Sequence, residues 1–336
     1  MRHLIILAGG KGSRFWPLSQ KDKPKQFLNI YSRRSLIEET ISRLAGLVDQ
    51  DNIYIATNKA HKKNINEKLS KKHTRNILFE PQAKNTLAPI GLLSKKILQK
   101  DKEAVIMVCP CDHYIKDRRS FLKVMRQAMK VAEKGYLVTL GIIPGRPETG
   151  YGYIKARRKE REFYSIDKFI EKPDIKKARE FLKSKKYYWN SGIFIFRADA
   201  LLAEFKRLNP SNYRLISKIK DESTLYRFWS KLDSLSLDYA IMEKTKNIAL
   251  IPLSCGWVDL GSWMAIGEIM KKDKNGNVFK GKHLDLKSKN ITVWSENKLV
   301  VTIGLKDLIV VDAKDAVLIC DKSRTQQVRE IADRLS

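Results

Sequence analysis

His3-Leu-Ile-Ile-Leu-Ala8, followed at once by Gly9-Gly-Lys-Gly12, is the stretch on which the fold turns. The apolar run is short and bounded by glycine, so it reads as a buried strand. The glycines mark a tight turn where the next helix should begin. Such a turn bares backbone amides that can face anionic oxygens, so it is a candidate phosphate cradle. Two familiar versions fail on spacing. The dinucleotide fingerprint needs a third small residue after Gly10 and Gly12, and Phe15 stands there. The P-loop needs a Gly-Lys-Ser or Gly-Lys-Thr run at its end, which the chain lacks.

Outward from this turn, apolar runs alternate with helically periodic stretches. Strands are predicted at 53–56, 77–79, 104–109 and 137–142, with helices at 35–47, 60–69, 88–98 and 121–134. This alternation predicts an α/β domain with a mostly parallel sheet covered on both faces by helices. The middle third is less regular, with strands at 150–154, 166–170 and 193–196 and helices at 176–183, 198–208 and 225–232. Composition changes near Lys271. Short strands follow at 290–294, 298–303, 308–311 and 316–319, then a helix at 325–334. That spacing predicts a small β domain or a few coils of a β-solenoid, without a clear internal repeat. The expected division is 1–267 for the α/β domain and 268–336 for the β domain.

Charge is the unusual bulk property. Lys and Arg total 66 against 37 Asp and Glu, a net +29, while the hydrophobic fraction of 43% is that of an ordinary folded chain. The cations are dispersed, with pairs starting at Lys62, Lys71, Lys95, Lys176, Lys185 and Lys271. They read as a basic solvated surface, and no nucleic-acid-binding signature accompanies them, so no specific nucleic-acid partner is expected. The four cysteines, Cys109, Cys111, Cys255 and Cys320, are too few for a disulfide framework. The apolar run 4–8 is shorter than the roughly 7–15 residues of a signal-peptide core, and no run reaches the roughly 20 of a membrane span. A cytoplasmic protein without membrane association is expected. Cys109-Pro-Cys111-Asp-His113 is not read as a zinc site, because no second ligand pair has suitable spacing.

The cradle continues as Ser13-Arg-Phe-Trp-Pro-Leu18 and Lys23-Pro-Lys-Gln-Phe27. Further on stand Glu80-Pro with Lys84-Asn-Thr86, Asp112-His113, Arg146-Pro-Glu-Thr-Gly-Tyr-Gly-Tyr-Ile154 and Phe169-Ile-Glu-Lys-Pro173. Trp189-Asn-Ser-Gly-Ile-Phe194, Ser236-Leu-Asp-Tyr-Ala-Ile-Met-Glu-Lys244 and Trp257-Val-Asp-Leu-Gly-Ser-Trp263 complete the series. In content and order these resemble the sugar nucleotidyltransferases, and in particular their mannose-1-phosphate guanylyltransferase branch. Cys109 and Cys111 around Pro110, and Val258 before Asp259, depart from the usual family residues without removing a group the chemistry needs.

The resemblance implies a Rossmann-like, GT-A-like nucleotidyltransferase domain followed by a short left-handed β-helix. It implies transfer of GMP from GTP to mannose 1-phosphate, giving GDP-mannose and pyrophosphate. Arg14 and Lys25 would be catalytic. Leu7, Ala8, Gly9, Gly10, Gly12 and Ser13 would bind the nucleotide, with Glu80, Pro81, Lys84, Asn85 and Thr86 near the guanine. Tyr151, Gly152, Glu171, Lys172 and Asn190 would meet the sugar phosphate, and Asp112 and Asp259 would hold Mg2+. The nucleophile is a phosphate monoester, anionic near neutral pH because its second pKa is about 6. The task is therefore positioning and charge neutralisation rather than proton abstraction. A guanidinium, an ammonium and two carboxylates for a hard cation suit it. The resemblance also fits a homodimer, and because the sequence stops before the fused isomerase domain of longer relatives, transferase activity alone is expected. The alternatives are another nucleotide and sugar pair, such as UTP or dTTP with glucose 1-phosphate, and a catalytically silent regulatory paralogue.

Overall fold

The structure, a computed structural model, describes residues 1–10 and 12–335; Lys11, inside the predicted cradle, lies outside them. Packing divides the chain into two compact units whose segments alternate in sequence. Met1–Gly9, Ile41–Cys111 and Ile115–Trp257 form the first, and Gly10–Thr40, Asp112–Tyr114 and Val258–Ser336 the second. The segment 10–40, expected within 1–267, therefore packs with the C-terminal strands.

The first unit is built on a nine-stranded sheet. Its spatial order is Ile77–Glu80, Ile53–Asn58, Arg2–Leu7, Val105–Pro110, Tyr187–Arg197, Leu137–Ile142, Ile248–Leu253, Tyr164–Ile170 and Tyr153–Lys159. The first four are mutually parallel, as the alternation predicts. Leu4, Ile5 and Ile6 are fully buried, which is why this strand reads as an unbroken apolar run. The sheet as a whole is mixed rather than mostly parallel. Tyr187–Arg197 runs antiparallel between Val105–Pro110 and Leu137–Ile142, and Tyr153–Lys159 pairs antiparallel with Tyr164–Ile170. The turn between the last two is closed by Glu160 N–H on the Phe163 carbonyl (2.8 Å), a connection only antiparallel neighbours permit.

Several middle elements differ from expectation, among them an unpredicted helix Pro210–Ser217 and a strand Tyr187–Arg197 that begins well before the predicted 193–196. The strand predicted to begin at Gly150 begins at Tyr153, because the Tyr153 hydroxyl bonds the Glu148 backbone (3.0 and 2.9 Å) and holds residues 148–152 as a turn. Ile248–Leu253, for which no strand is predicted, pairs parallel with Leu137–Ile142. Pro252 interrupts its pattern, and the chain tolerates it inside a buried strand.

Helix ends account for part of the basic excess. Lys95 donates to the carbonyls of Ser217 (2.7 Å) and Ile219 (2.8 Å) behind helix Pro210–Ser217. Lys84 does the same for Leu232 (2.6 Å) and Ser230 (3.0 Å) behind helix Glu222–Trp229. Arg118 reaches Arg43 (2.9 Å), Ala45 (3.1 Å) and Ser42 (3.3 Å) at the end of helix Leu36–Leu44. Cations there satisfy orphan carbonyls and complement the negative helix end.

The second unit contains the solenoid. Val278–Lys280, Thr292–Ser295 and Leu308–Asp312 stack in parallel, as do His283–Leu286 and Val300–Ile303. Side chains 17 positions apart bond across the coils: Asp285 with Thr302 (2.6 Å), Asn290 with Asp307 (2.6 Å) and Ser295 with Asp312 (3.1 Å). Asn290 and Asp307 share positive φ (51° and 54°), so corresponding corners turn in the same way. Val317–Asp321 adds antiparallel to Leu308–Asp312 and closes the stack. Phe15, Leu18, Leu28 and Ile30 share an apolar core with Trp263, Trp294, Ile309 and Val328. Lys280, its ammonium 3.6 Å from the Trp294 ring centre, donates to the Ile30 carbonyl (2.8 Å).

In the first unit, helices Leu87–Lys100 and Ala198–Leu208 meet at Gly91, where a β-carbon would fall 2.4 Å from Phe205 Cε1. Gly91→Ala should therefore destabilise the fold by about 1–3 kcal/mol through overpacking, read by urea unfolding. An unchanged midpoint would contradict this packing.

Candidate active site

The two units hold different groups of the expected residues. In the first, Leu7 ends the strand Arg2–Leu7 and Ala8 and Gly9 follow it, with the Thr57 hydroxyl donating to the Ala8 carbonyl (2.8 Å). Glu80 ends the strand Ile77–Glu80 and is buried; a β-carbon on Gly9 would lie 3.1 Å from its Oε1. Glycine at position 9 thus lets the backbone approach a carboxylate closely. Burial pushes the Glu80 carboxyl up to about 7. Beyond Pro81, the expected base-binding segment is tied down rather than loose. Lys84 holds carbonyls as described, Asn85 turns with φ 58°, and the Thr86 hydroxyl accepts from Leu237 N–H (2.8 Å).

The expected sugar-phosphate residues form a second group in this unit. Tyr151 sits edge-on to Trp189 (5.3 Å between ring centres) and to Trp257 (5.4 Å). The Gly152 carbonyl accepts from Asn190 N–H (2.8 Å), and a β-carbon at Gly152 would lie 2.9 Å from Glu171 Oε2. Lys172, at φ 38°, bonds Glu171 Oε1 (2.6 Å). The Asn190 amide donates to Asp238 Oδ1 (2.6 Å). Asp238, absent from the expected set, opens the π-helical turn Asp238–Met242, a geometry frequent at functional sites. Burial pushes its carboxyl up, against the Asn190 hydrogen bond that lowers it. The Ser236–Lys244 motif flagged this segment, but nothing in residue type alone singles out Asp238 within it.

In the second unit the cradle continues through Gly10 and Gly12 into the 3-10 turn Ser13–Phe15. Gly12 has φ 67°, and a β-carbon there would fall 2.3 Å from the β-carbon of Lys25. Lys25 begins the 3-10 turn Lys25–Phe27 and is buried, its ammonium 2.7 Å from Asp112 Oδ2 and 5.3 Å from the Phe15 ring centre. Arg14, exposed, donates to Gln326 Oε1 (3.0 Å). Leu260 N–H on the Asp112 carbonyl (3.1 Å) draws the Asp259 strand alongside. One ligand atom each from Asp112, His113 and Asp259 lies within 4.8 Å of the others. The two aspartates, far apart in sequence, can therefore address one cation. Burial alone would raise the Asp112 carboxyl, but Lys25 and then His113 outweigh it and hold it at about 2. Among the described residues no cysteine joins this cluster. Burial pushes the Cys109 and Cys255 thiols up to about 12, far from the thiolate form a metal would need.

Two family models match in succession: Nucleotidyl transferase over residues 3–276 and MannoseP isomerase/GMP-like beta-helix domain over residues 281–335. Mixed sheet, glycine-rich turn and paired aspartates thus belong to a nucleotidyltransferase. A mannose-1-phosphate guanylyltransferase of Salmonella montevideo is 40% identical over 98% of this chain and 73% of its own length. That of Escherichia coli strain K12 is 37% identical over the same shares, 98% and 73%. The crystal structure described as mannose-1-phosphate geranyltransferase from Thermus thermophilus superposes with a TM-score of 0.92 at 31% identity, covering 99% of both chains. The chain belongs to the mannose-1-phosphate guanylyltransferase family, as the motif resemblance implied.

The raised Glu80 carboxyl makes stability depend on pH. Between the ordinary carboxylate value of 4.5 and about 7, the unfolded chain releases a proton that the folded chain keeps. Its contribution is complete below the lower value and is lost as pH rises through the upper one. Urea unfolding should show the wild type losing up to about 3 kcal/mol relative to Glu80→Gln over this window. Parallel curves would contradict a buried, protonated Glu80.

Proposed function

We propose that the chain transfers the guanylyl group of GTP to mannose 1-phosphate. An oxygen of the sugar phosphate attacks the α-phosphorus, the bond to the bridging oxygen of the β-phosphate breaks, and pyrophosphate leaves as GDP-mannose forms. The observation that carries the proposal is the Lys25–Asp112–Asp259 constellation in the unit that also bears Gly12, Ser13 and Arg14. Asp112, held at about 2, is unsuited to take up a proton, which accords with a reaction that needs no general base.

Arg14 and Lys25 neutralise charge on the α-phosphate and the departing pyrophosphate, and the backbone of the cradle binds triphosphate oxygens. The oxygen donors of Asp112 and Asp259 fit Mg2+, which prefers carboxylates, while the His113 nitrogen is the poorer donor for so hard an ion. When bound, Mg2+ would neutralise phosphate oxygens and help orient them for in-line displacement. Glu80, which in the free chain keeps its proton up to about pH 7, would on giving it up accept from the N–H edge of guanine, with Pro81, Lys84, Asn85 and Thr86 shaping its surroundings. Glu171 and Asn190, with Tyr151 and Gly152, offer acceptors and donors for sugar hydroxyls, and Lys172 a charge for the sugar phosphate. Among the described residues no helix is long and apolar enough to cross a membrane. A cytoplasmic homodimer completes the reading, its second element testable by light scattering.

Pyrophosphate release is the direct test. GTP with mannose 1-phosphate and magnesium should be turned over in preference to UTP or dTTP with glucose 1-phosphate. Asp112→Asn and Asp259→Asn should each lower kcat by about 100-fold or more. Preference for another pair would overturn the substrate assignment, and unaltered variants the metal assignment. No turnover of any pair would leave a silent paralogue.

A further inference from the structure

Arg14 is held by a side chain from the far end of the chain. Its Nη1 donates to Gln326 Oε1 at 3.0 Å, a contact spanning 312 positions. Both side chains are exposed, yet each stands on fixed backbone. Phe15 beside Arg14 is fully buried, as are Thr325 and Val328 on either side of Gln326 to within a few per cent. Phe15 and Val328 belong to the same apolar core. Gln326 lies in the 3-10 segment Lys322–Gln327, whose start is capped by Asp321 accepting from Ser323 N–H (2.7 Å).

The chemistry of the partner matters as much as its place. Arg75, Arg146, Arg197 and Arg207 are each held by a carboxylate. Arg14 is held by a neutral amide, whose oxygen can orient a guanidinium without cancelling its charge. A guanidinium has five N–H donors in a fixed fork, so one bond to Gln326 leaves others for an anionic ligand. We propose that Gln326 is a positioning residue for Arg14, fixing the guanidinium for phosphate while leaving its charge intact. This rests on the reading of Arg14 as a phosphate contact. It makes the C-terminal segment part of the catalytic apparatus as well as of the fold.

Gln326→Glu is the decisive variant, since it keeps the size and the acceptor but adds a negative charge at Arg14. Its melting temperature should match the wild type or exceed it, while kcat falls about tenfold or more with little change in KM for mannose 1-phosphate. Gln326→Ala should lose less, about threefold to tenfold in kcat, through looser orientation alone. In an Arg14→Met background neither substitution should reduce the rate further, because the group they act through is gone. Wild-type kcat in Gln326→Glu would overturn the charge argument, and wild-type kcat in Gln326→Ala would overturn the positioning role. Full activity in Arg14→Met would instead sink the reading of Arg14 itself, so the two failures are distinguishable. If Gln326→Glu fails to fold, Gln326→Ala with the Arg14→Met cycle decides between these outcomes.

Discussion

Lys25 and Asp112 meet at 2.7 Å, a contact between two segments of the second unit that lie 87 positions apart in sequence. The lysine is almost wholly buried, with 7% of its side chain accessible, while Asp112 keeps 32%. The pair therefore lies between the dry limit, where attraction is large, and water, where it nearly vanishes. Its net worth to stability is small. Removing one partner is another matter, because it leaves a charge buried without compensation, at a cost of about 3–5 kcal/mol for a fully buried pair and less here. What the pair secures is the ionised form of Asp112, whose carboxyl the Lys25 ammonium lowers against the effect of burial. In the proposed reaction an ionised carboxylate beside a second aspartate would suit a cation, and an ammonium beside the glycine-rich turn would suit phosphate.

Room for this pair comes from glycine. At Gly12 a side chain would collide with Lys25, and the positive φ there is one that other residues adopt only under strain. Below Lys25, the ring of Phe15 packs on Trp263, and Trp263 on Trp294 of the solenoid (5.2 and 5.6 Å between ring centres). Trp263 also donates to the Trp16 carbonyl (2.9 Å). Aromatic contacts of this kind are well defined in geometry, so a β-solenoid at one end of the sequence becomes the rigid base for a cradle at the other. The interleaving of the two units along the chain follows from this packing.

The +29 charge has a partial structural account that composition could not supply. Lys84, Lys95, Arg118 and Lys280 are occupied with backbone carbonyls, three of them behind helix ends. Others form exposed pairs, such as Arg75 with Asp51, that contribute little to stability. Lys84 shows the limit of reading residue types. By motif it belongs near a base; by contact its ammonium secures the loop after Trp229, and a residue can serve a site by holding the segment that forms it.

Strands and helices of the parallel half were legible because both faces of that sheet are buried, which writes continuous apolar runs into the sequence. Lys25, Asp112 and Asp259 were singled out by the motif resemblance rather than by spacing, and the structure brings Lys25 within 2.7 Å of Asp112 and groups Asp112 with Asp259. The solenoid repeat was not. Of the residues stacked 17 apart, Asp285 faces Thr302, Asn290 faces Asp307 and Trp294 faces Val311, so shape recurs while identity does not. Asp238 and Gln326 were equally hidden, since hydrogen bonds across 48 and 312 positions leave no local trace. Local sequence determined the strands of the parallel half and where along the chain the charged side chains stand. Only the tertiary structure decided that ligand atoms of Asp112 and Asp259 lie within 4.8 Å of one another and which neighbour each cationic side chain meets, because those contacts depend on packing between segments that sequence proximity does not connect.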